Sequence, residues 1–470
     1  MIQTKAFEQK KIKNNPYLFI NLIFGFFPIS FVIGSLFVNL NIVLIICLGL
    51  FHLKSKIFTT KLDLSVKIIF LFFVVVLLSS SLSLIKFLYF DGYGDNNFLR
   101  FSKSILFFRY FLLLLVIFLL NKFDILNFKY FFIVAAFSST IISLDIIYQY
   151  IFGHNILGLT TSGIRNSGFF GDEHIAGGYI LRFSFFAIFF AILFSQNKTY
   201  IKFISIIIII CILGLGMLFS GNRMPLILFL FGLILLFLIN LKIKKIIFAG
   251  LVSLFIVLAF IMSSDATYKA LYQSFSGKAK NIIFGHGTTE WKKTEYKKLE
   301  EKSQSHKTSF YSVRWESEHR RLFLTAIDTW KFSKIFGNGI KSFREDCHRL
   351  AEQPNVSIEE NLYPGKKNRL CSNHPHNYYF EILTETGIIG LSTTLIIAFF
   401  FVVFIFRNFK FIKQIDAETF ILLSATISMI LETFPIKSSG SLFTTNNTTY
   451  LILVGSIIIS YKKLLKFKTE

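Results

Sequence analysis

Two histidines stand two residues apart in Cys371-Ser-Asn-His374-Pro-His376-Asn377, directly before an apolar run that opens Tyr378-Tyr-Phe-Glu381-Ile-Leu-Thr-Glu385-Thr-Gly387. Imidazole takes up and releases a proton near neutral pH, and this pair sits where a long polar segment meets a run of membrane-spanning length. A proton carrier beside a bilayer surface faces lipid head groups. That placement points to an enzyme acting on a lipid-borne substrate rather than to a pore.

Arginines supply the complementary charge. Arg223 stands in Ser220-Gly-Asn-Arg223-Met-Pro225, a very short turn between two strongly hydrophobic runs. Pro225 suits the first turn of a helix, and a guanidinium fork beside free helical N–H groups makes an anion site. The plainer role is an arginine that snorkels to the interface. Arg165 lies in Gly163-Ile-Arg165-Asn-Ser-Gly168-Phe-Phe-Gly171-Asp172-Glu173-His174, where glycines let the backbone approach a ligand closely. Asp172 and Glu173 either cap the helix that follows or orient an arginine or a sugar hydroxyl. Arg109 and Arg182 fall inside apolar runs, where Arg109 is deep enough to pair with an acid such as Asp145. Arg320, Arg321 and Arg344, in the long polar segment, offer a second phosphate ligand.

Cys347 and Cys371 bracket the late part of that segment. In an oxidising compartment they form a bridge that ties it to the foot of the histidine helix; otherwise they are two free thiols. Cys47 and Cys211 lie in apolar runs and read as packing residues. A Walker loop, a CxxC pair and an HExxH helix are all missing from the sequence, so nucleotide hydrolysis, thiol redox chemistry and zinc proteolysis lack support. The sequence calls for no metal and no cofactor. Arginines, a membrane-proximal histidine and a lipid phase fit transfer of a group whose leaving portion is a lipid diphosphate. Arginine neutralises the departing charge while histidine takes a proton from the attacking hydroxyl.

The elements that must position these groups follow from the apolar runs. Of 470 residues 53% are hydrophobic, and the mean hydropathy is +0.60. Spans are expected at roughly 17–36, 38–53, 67–88, 104–120, 130–152, 178–195, 203–220, 224–240, 246–263, 384–406, 418–435 and 448–461. This is an all-α polytopic membrane protein of about 12 transmembrane helices, with one large, mainly helical loop before the tenth. The chain divides into 1–263, the first nine helices; 264–383, the loop domain; and 384–470, the last three helices and a tail. Lysine and arginine split 22 to 6 between alternate short loops, which puts both termini in the cytoplasm and the long loop outside the inner membrane. The net charge of +23 is therefore an orientation signal, not a nucleic-acid footprint. Within the loop, Leu322, Leu324, Ile327 and Trp330 predict a helix over Glu316–Phe336 that Gly337-Asn-Gly339 stops. The lysine-rich Lys278–Lys307 reads as a solvated face.

The block His374-Pro-His376-Asn377…Glu385-Thr-Gly387-Ile-Ile-Gly390-Leu resembles the signature of the O-antigen ligase and polymerase superfamily. Arg165…Ser-Gly-Phe-Phe-Gly, the Ser-Gly-Asn-Arg223 turn and Arg321-Leu…Trp330…Phe336-Gly-Asn-Gly339…Phe343 follow the same order, over roughly 160–400. The resemblance implies a GT-C-like architecture and inverting, metal-independent glycosyl transfer from undecaprenyl diphosphate at the periplasmic face of the bacterial inner membrane. The acceptor it implies is lipid A–core, a growing glycan or a protein. It suggests His376 as the base or acceptor-orienting residue, with His374 as its partner. Arg223 and one loop arginine, best matched by Arg321, become diphosphate ligands, and Arg165, Glu173, Asn377 and Arg344 complete the donor and glycan site. Asn222 fills a position that is often serine, and the lysine-rich stretch before Arg314 is outside the pattern. The rival from another class is a lipid-linked oligosaccharide flippase, which ordinarily shows internal repeats; none is visible here.

Overall fold

Apolar segments of this length leave the backbone no water to bond, so each N–H and C=O must pair within a helix. In the computed structural model, residues 16–89, 96–161, 165–194, 199–239, 243–270, 272–273, 318–358, 366–407 and 416–467 are described. The expectation for Lys278–Lys307 lies outside them.

The helices run, in chain order, α1 (Leu18–Gly25), α2 (Phe27–Ile33), α3 (Ser35–Leu53), α4 (Lys56–Thr59), α5 (Leu64–Tyr89), α6 (Asn97–Lys122) and α7 (Lys129–Phe152). Then come α8 (Ala176–Phe194), α9 (Thr199–Phe219), α10 (Arg223–Ile239), α11 (Lys244–Ser264), α12 (Glu318–Trp330), α13 (Phe343–Ala351), α14 (Tyr378–Arg407), α15 (Ala417–Glu432) and α16 (Thr445–Phe467). Among the described residues, 8 helices are long and apolar enough to cross a membrane, and α10 is a shorter apolar helix. Each of the twelve expected segments is helical, but the first, 17–36, is not one rod. Pro28 sits in the first turn of α2, where its ring would clash with the carbonyl of a continuing helix, and Gly34 at φ 132 separates α2 from α3.

Phenylalanines fill the bundle core. Phe131 packs against Phe24 at 5.5 Å, Phe186 at 5.6 Å and Phe183 at 6.1 Å between ring centroids. Leu36, Phe51, Phe260 and Phe399 face outward on the bundle surface, an apolar belt that suits contact with lipid and not with water.

The loop domain is small. Helices α12 and α13 enclose Leu322, Ala326 and Phe343, with Leu370 and Phe380 packed against them. Two-residue strands β1 (Val356–Ser357) and β2 (Lys367–Asn368) pair in parallel. Phe323 of α12 stacks on Phe380 of α14 at 4.7 Å, which seats the domain on the end of the bundle.

Helix α12 stops at Trp330, earlier than the spacing predicts, and Gly337-Asn-Gly339 has a different task. Helix α14 is broken at Gly387, whose φ of 68 and ψ of −168 lie far from helical values. The backbone groups freed there are met by the segment 334–339. Asn338 N–H donates to Thr384 O at 3.1 Å, Gly339 N–H to Glu385 O at 2.9 Å, Ile388 N–H to Lys334 O at 3.0 Å and Ile389 N–H to Ile335 O at 3.3 Å. A Cβ on Gly387 would lie 2.2 Å from Ile335 O, and one on Gly337 would lie 2.5 Å from Glu385 O. Both positions require glycine because backbone meets backbone. Ser79 of α5 completes the junction, donating to Glu385 O at 2.6 Å and accepting from Gly339 N–H at 3.1 Å.

Candidate functional site

The histidine segment is held at both ends. Cys371 is disulfide-bonded to Cys347 of α13, with Cα atoms 5.6 Å apart. Asn377 caps α14: its Oδ1 accepts from Tyr379 N–H at 3.0 Å and Phe380 N–H at 3.3 Å, while its Nδ2 donates to Pro435 O at 2.7 Å. Its amide is thus spent on architecture. Between these anchors His376 adopts φ 56, a left-handed conformation, and its carbonyl accepts from Ser439 N–H at 3.0 Å.

The rings of His374 and His376 lie 4.3 Å apart, and His319 of α12 approaches His376 at 6.1 Å. Ser372 Oγ is 3.5 Å from His376 Nε2. Burial, with the charge of His376 next, pushes His374 down to about 4, and the Ser439 backbone pulls back only in part. Burial followed by the charge of His319 also lowers His376. Both rings are therefore neutral at pH 7 and able to accept a proton. The Nε2 of His374 is buried without a hydrogen-bond partner among the described residues. No three His, Cys, Asp or Glu among the described residues are grouped to hold a metal ion.

Two loops flank the rings, and two buried glutamates one turn apart on α14 latch them down. Glu381 accepts from Ser441 Oγ at 2.5 Å and Leu442 N–H at 2.6 Å; Glu385 accepts from Lys341 N–H at 2.7 Å. Arg344 lies on α13 one turn before the bonded Cys347, and Cys371 stands three residues before His374. The charges of Lys341 and Arg344 both act on His374. Arg321 is arranged differently. It is 6% exposed inside the loop domain and donates through Nη2 to Arg369 O at 2.9 Å. The arginine beside the histidines is Arg344.

Arg223, Arg165 and Glu173 form a second group. Arg223 begins α10, and Asn222 next to it donates to His174 O at 2.8 Å. Asn166 ties the neighbouring loop to Phe219 O at 2.8 Å. The buried hydroxyl of Tyr272 has no partner among the described residues, and its titration is pulled down by the Arg223 charge against a larger upward push from burial. Arg165 and Glu173 are exposed. Among the described residues no ion pair joins this group to the histidines.

Two features went unread in the sequence. Arg182 is committed to partners inside the bundle; it donates to Glu432 Oε1 at 2.7 Å, Glu432 Oε2 at 3.1 Å and Asn447 Oδ1 at 2.6 Å. Tyr378 OH and Lys437 Nζ add bonds of 2.7 Å and 2.6 Å to the same carboxylate, just beneath the histidine segment. A lone acid at the end of an apolar run was the available signal. Arg109 likewise does not pair with Asp145: it bonds Tyr110 OH at 2.7 Å and Thr445 Oγ1 at 3.4 Å, while Asp145 accepts from Ile156 N–H at 3.0 Å. The second unread feature is an apolar cavity of about 270 Å³ between α5, α6, α14, α15 and α16. It starts at Tyr378 and Tyr379, directly after the histidines, and reaches Phe404, Ile459 and Ser65 towards the opposite end of the bundle.

Neutral imidazoles, neighbouring cations and an apolar groove thus meet at one end of a helical bundle. Among curated proteins no match to the chain is found. A family model described as O-antigen ligase matches residues 207–395, from α9 through the Arg223 turn and the loop domain into α14. That region contains His319, Lys341, Arg344, His374 and His376, and its match supports the O-antigen ligase and polymerase superfamily.

Proposed function

We propose that the protein is a glycosyltransferase that moves an oligo- or polysaccharide from undecaprenyl diphosphate to an acceptor hydroxyl at the periplasmic face of the inner membrane, with inversion and without a metal ion. The observation that carries this reading is a neutral histidine pair, under the charges of Lys341 and Arg344, placed directly before Tyr378 and Tyr379, where an apolar groove starts. A polyprenyl chain fits the groove while its diphosphate stays level with the cations. His376 accepts the proton of the acceptor hydroxyl. The acceptor oxygen then forms a bond to the anomeric carbon as the bond from that carbon to the phosphate oxygen breaks. The electron pair leaves with the lipid diphosphate, whose growing charge the cations stabilise. One displacement on the face opposite the leaving group inverts the anomeric centre.

Lysine and arginine crowd the alternate loops on the other side of the bundle, which supports cytoplasmic termini, a periplasmic 264–383 domain and twelve spans. The acceptor is lipid A–core or a growing glycan. Arg223 joins Arg344 as a donor ligand when the long donor bridges both groups. The test uses purified protein in nanodiscs with lipid-linked glycan and acceptor. His376→Ala is expected to abolish product while insertion and the Cys347–Cys371 bond persist. Full product from that variant refutes the histidine's role, and movement of donor across the bilayer without transfer would favour a flippase.

A further inference from the structure

Lys341 is held in an unusual way. Its φ of 64 places it in the left-handed region, and its N–H is fixed by Glu385 Oε2 at 2.7 Å. Gly339, two residues before it, is pinned to α14 and to Ser79, so the turn that presents the lysine is anchored on both sides. Arg344 follows three residues later at the start of α13, and the disulfide from Cys347 to Cys371 brings that helix end against the strand leading to His374. Both cations are half-buried. Among the described residues neither has a carboxylate within ion-pairing distance, in contrast to Arg100, Arg182, Lys331, Arg369 and Lys437, each of which has one. Arg344 Nε and His374 Nε2 are both buried without a partner. Glu381 and Glu385 act on these cations only from beyond ion-pairing distance, so half-buried cations beside an unpartnered imidazole nitrogen offer a place for an anion with several acceptor oxygens.

We propose that Lys341 is a donor-binding residue: its ammonium and the Arg344 guanidinium grip the two phosphates of the lipid diphosphate beside His374, with Glu385 positioning Lys341 for that contact. This assignment rests on the glycan-transfer reading and adds a ligand that no motif in the sequence marks. Arginine supplies the planar fork and lysine the rotatable point charge, so the pair adapts as the bond to the sugar lengthens.

The test uses the full-length chain in nanodiscs, with Lys341→Gln, Lys341→Arg and His376→Ala. Two readouts are needed: steady-state transfer against donor concentration, and direct binding of glycan-free undecaprenyl diphosphate beside undecaprenyl monophosphate. Lys341→Gln is expected to raise the KM for donor and the Kd for the glycan-free diphosphate by about tenfold, the scale of one charge-assisted hydrogen bond. Its kcat should stay within about threefold of wild type, with monophosphate binding less affected. Lys341→Arg should recover most of the loss. An unchanged KM and Kd in Lys341→Gln, while His376→Ala is inert, overturns the Lys341 assignment alone. A fall in kcat without a change in donor binding, not rescued by arginine, makes the lysine structural and also overturns it. Wild-type protein that neither transfers glycan nor binds the diphosphate sinks the functional reading and this inference together.

Discussion

Gly387→Ala separates a broken helix from a continuous one by the sign of its effect. In an unbroken α14, alanine would replace the poorest ordinary helix former with the best and stabilise by about 1 kcal/mol. The structure demands the reverse. At φ 68 and ψ −168 the residue occupies a region open essentially to glycine, and forcing a side chain there costs roughly 1–3 kcal/mol. The new Cβ would also lie 2.2 Å from Ile335 O and 2.5 Å from Gly337 N, which are backbone atoms with no rotamer to yield. Relief means lifting 334–339 off the break. Four backbone hydrogen bonds cross that junction, and losing half of them adds about 2 kcal/mol. The expected destabilisation is about 3–5 kcal/mol. Lys341 would be displaced with the turn, so transfer should fall more steeply than the amount of inserted protein. Thermal unfolding in detergent, tryptic cleavage within 331–342 and glycan transfer in nanodiscs read the three consequences. A raised thermal midpoint with normal transfer would refute the broken helix and the docking argument built on it.

Four further expectations follow from other parts of the site. Cys347→Ser opens a closure between residues 24 apart, worth about 3 kcal/mol in chain entropy, and should lower the thermal midpoint and the transfer rate, as reductant does to wild type; alkylation mass checks the bond. Arg182→Met removes one of two cations from Glu432, 2% exposed, and should cost about 1–3 kcal/mol, whereas adding Glu432→Gln leaves Lys437 without its carboxylate and should not recover the loss; denaturation of the cycle reads the coupling. His374 is lowered from 6.5 to about 4 in the fold, so its neutral form contributes stability that is complete above about pH 6.5 and lost as pH falls towards 4. His319→Asn removes a charge that lowers His376, so the acid limb of kcat/KM should move to higher pH; no shift, or a downward one, refutes that coupling.

Much of the bundle was legible because an apolar run of spanning length admits few structures. The histidine block was legible for a related reason: its polar groups have no business at the mouth of such a run unless they act there. The break in α14 was not. Gly387 costs a continuous helix only about 1 kcal/mol, so an apolar run containing one glycine reads as a rod. What opens the rod is a set of donors and acceptors at 334–339, some fifty residues earlier in the chain, and no local pattern announces that docking. The Arg182–Glu432 pair escaped for the same reason, its partners being 250 residues apart.

Arg321 and Arg344 differ in a more instructive way, because a signal existed for both. The α12 stripe that faces the core contains Leu322, Thr325, Ala326 and Thr329, and Arg321 lies one turn before Thr325 on that stripe. Helical register therefore already placed its guanidinium inward, where a buried cation must find a backbone oxygen, and it finds Arg369 O at 2.9 Å. Arg344 instead precedes Cys347 by one turn, and the bond from that cysteine to Cys371 ties the helix end that carries the arginine to the histidine segment. Charge identifies a possible phosphate ligand. In the proposed glycan transfer, the face of the helix it occupies, and the covalent tether that face carries, decide whether it is offered to the phosphate.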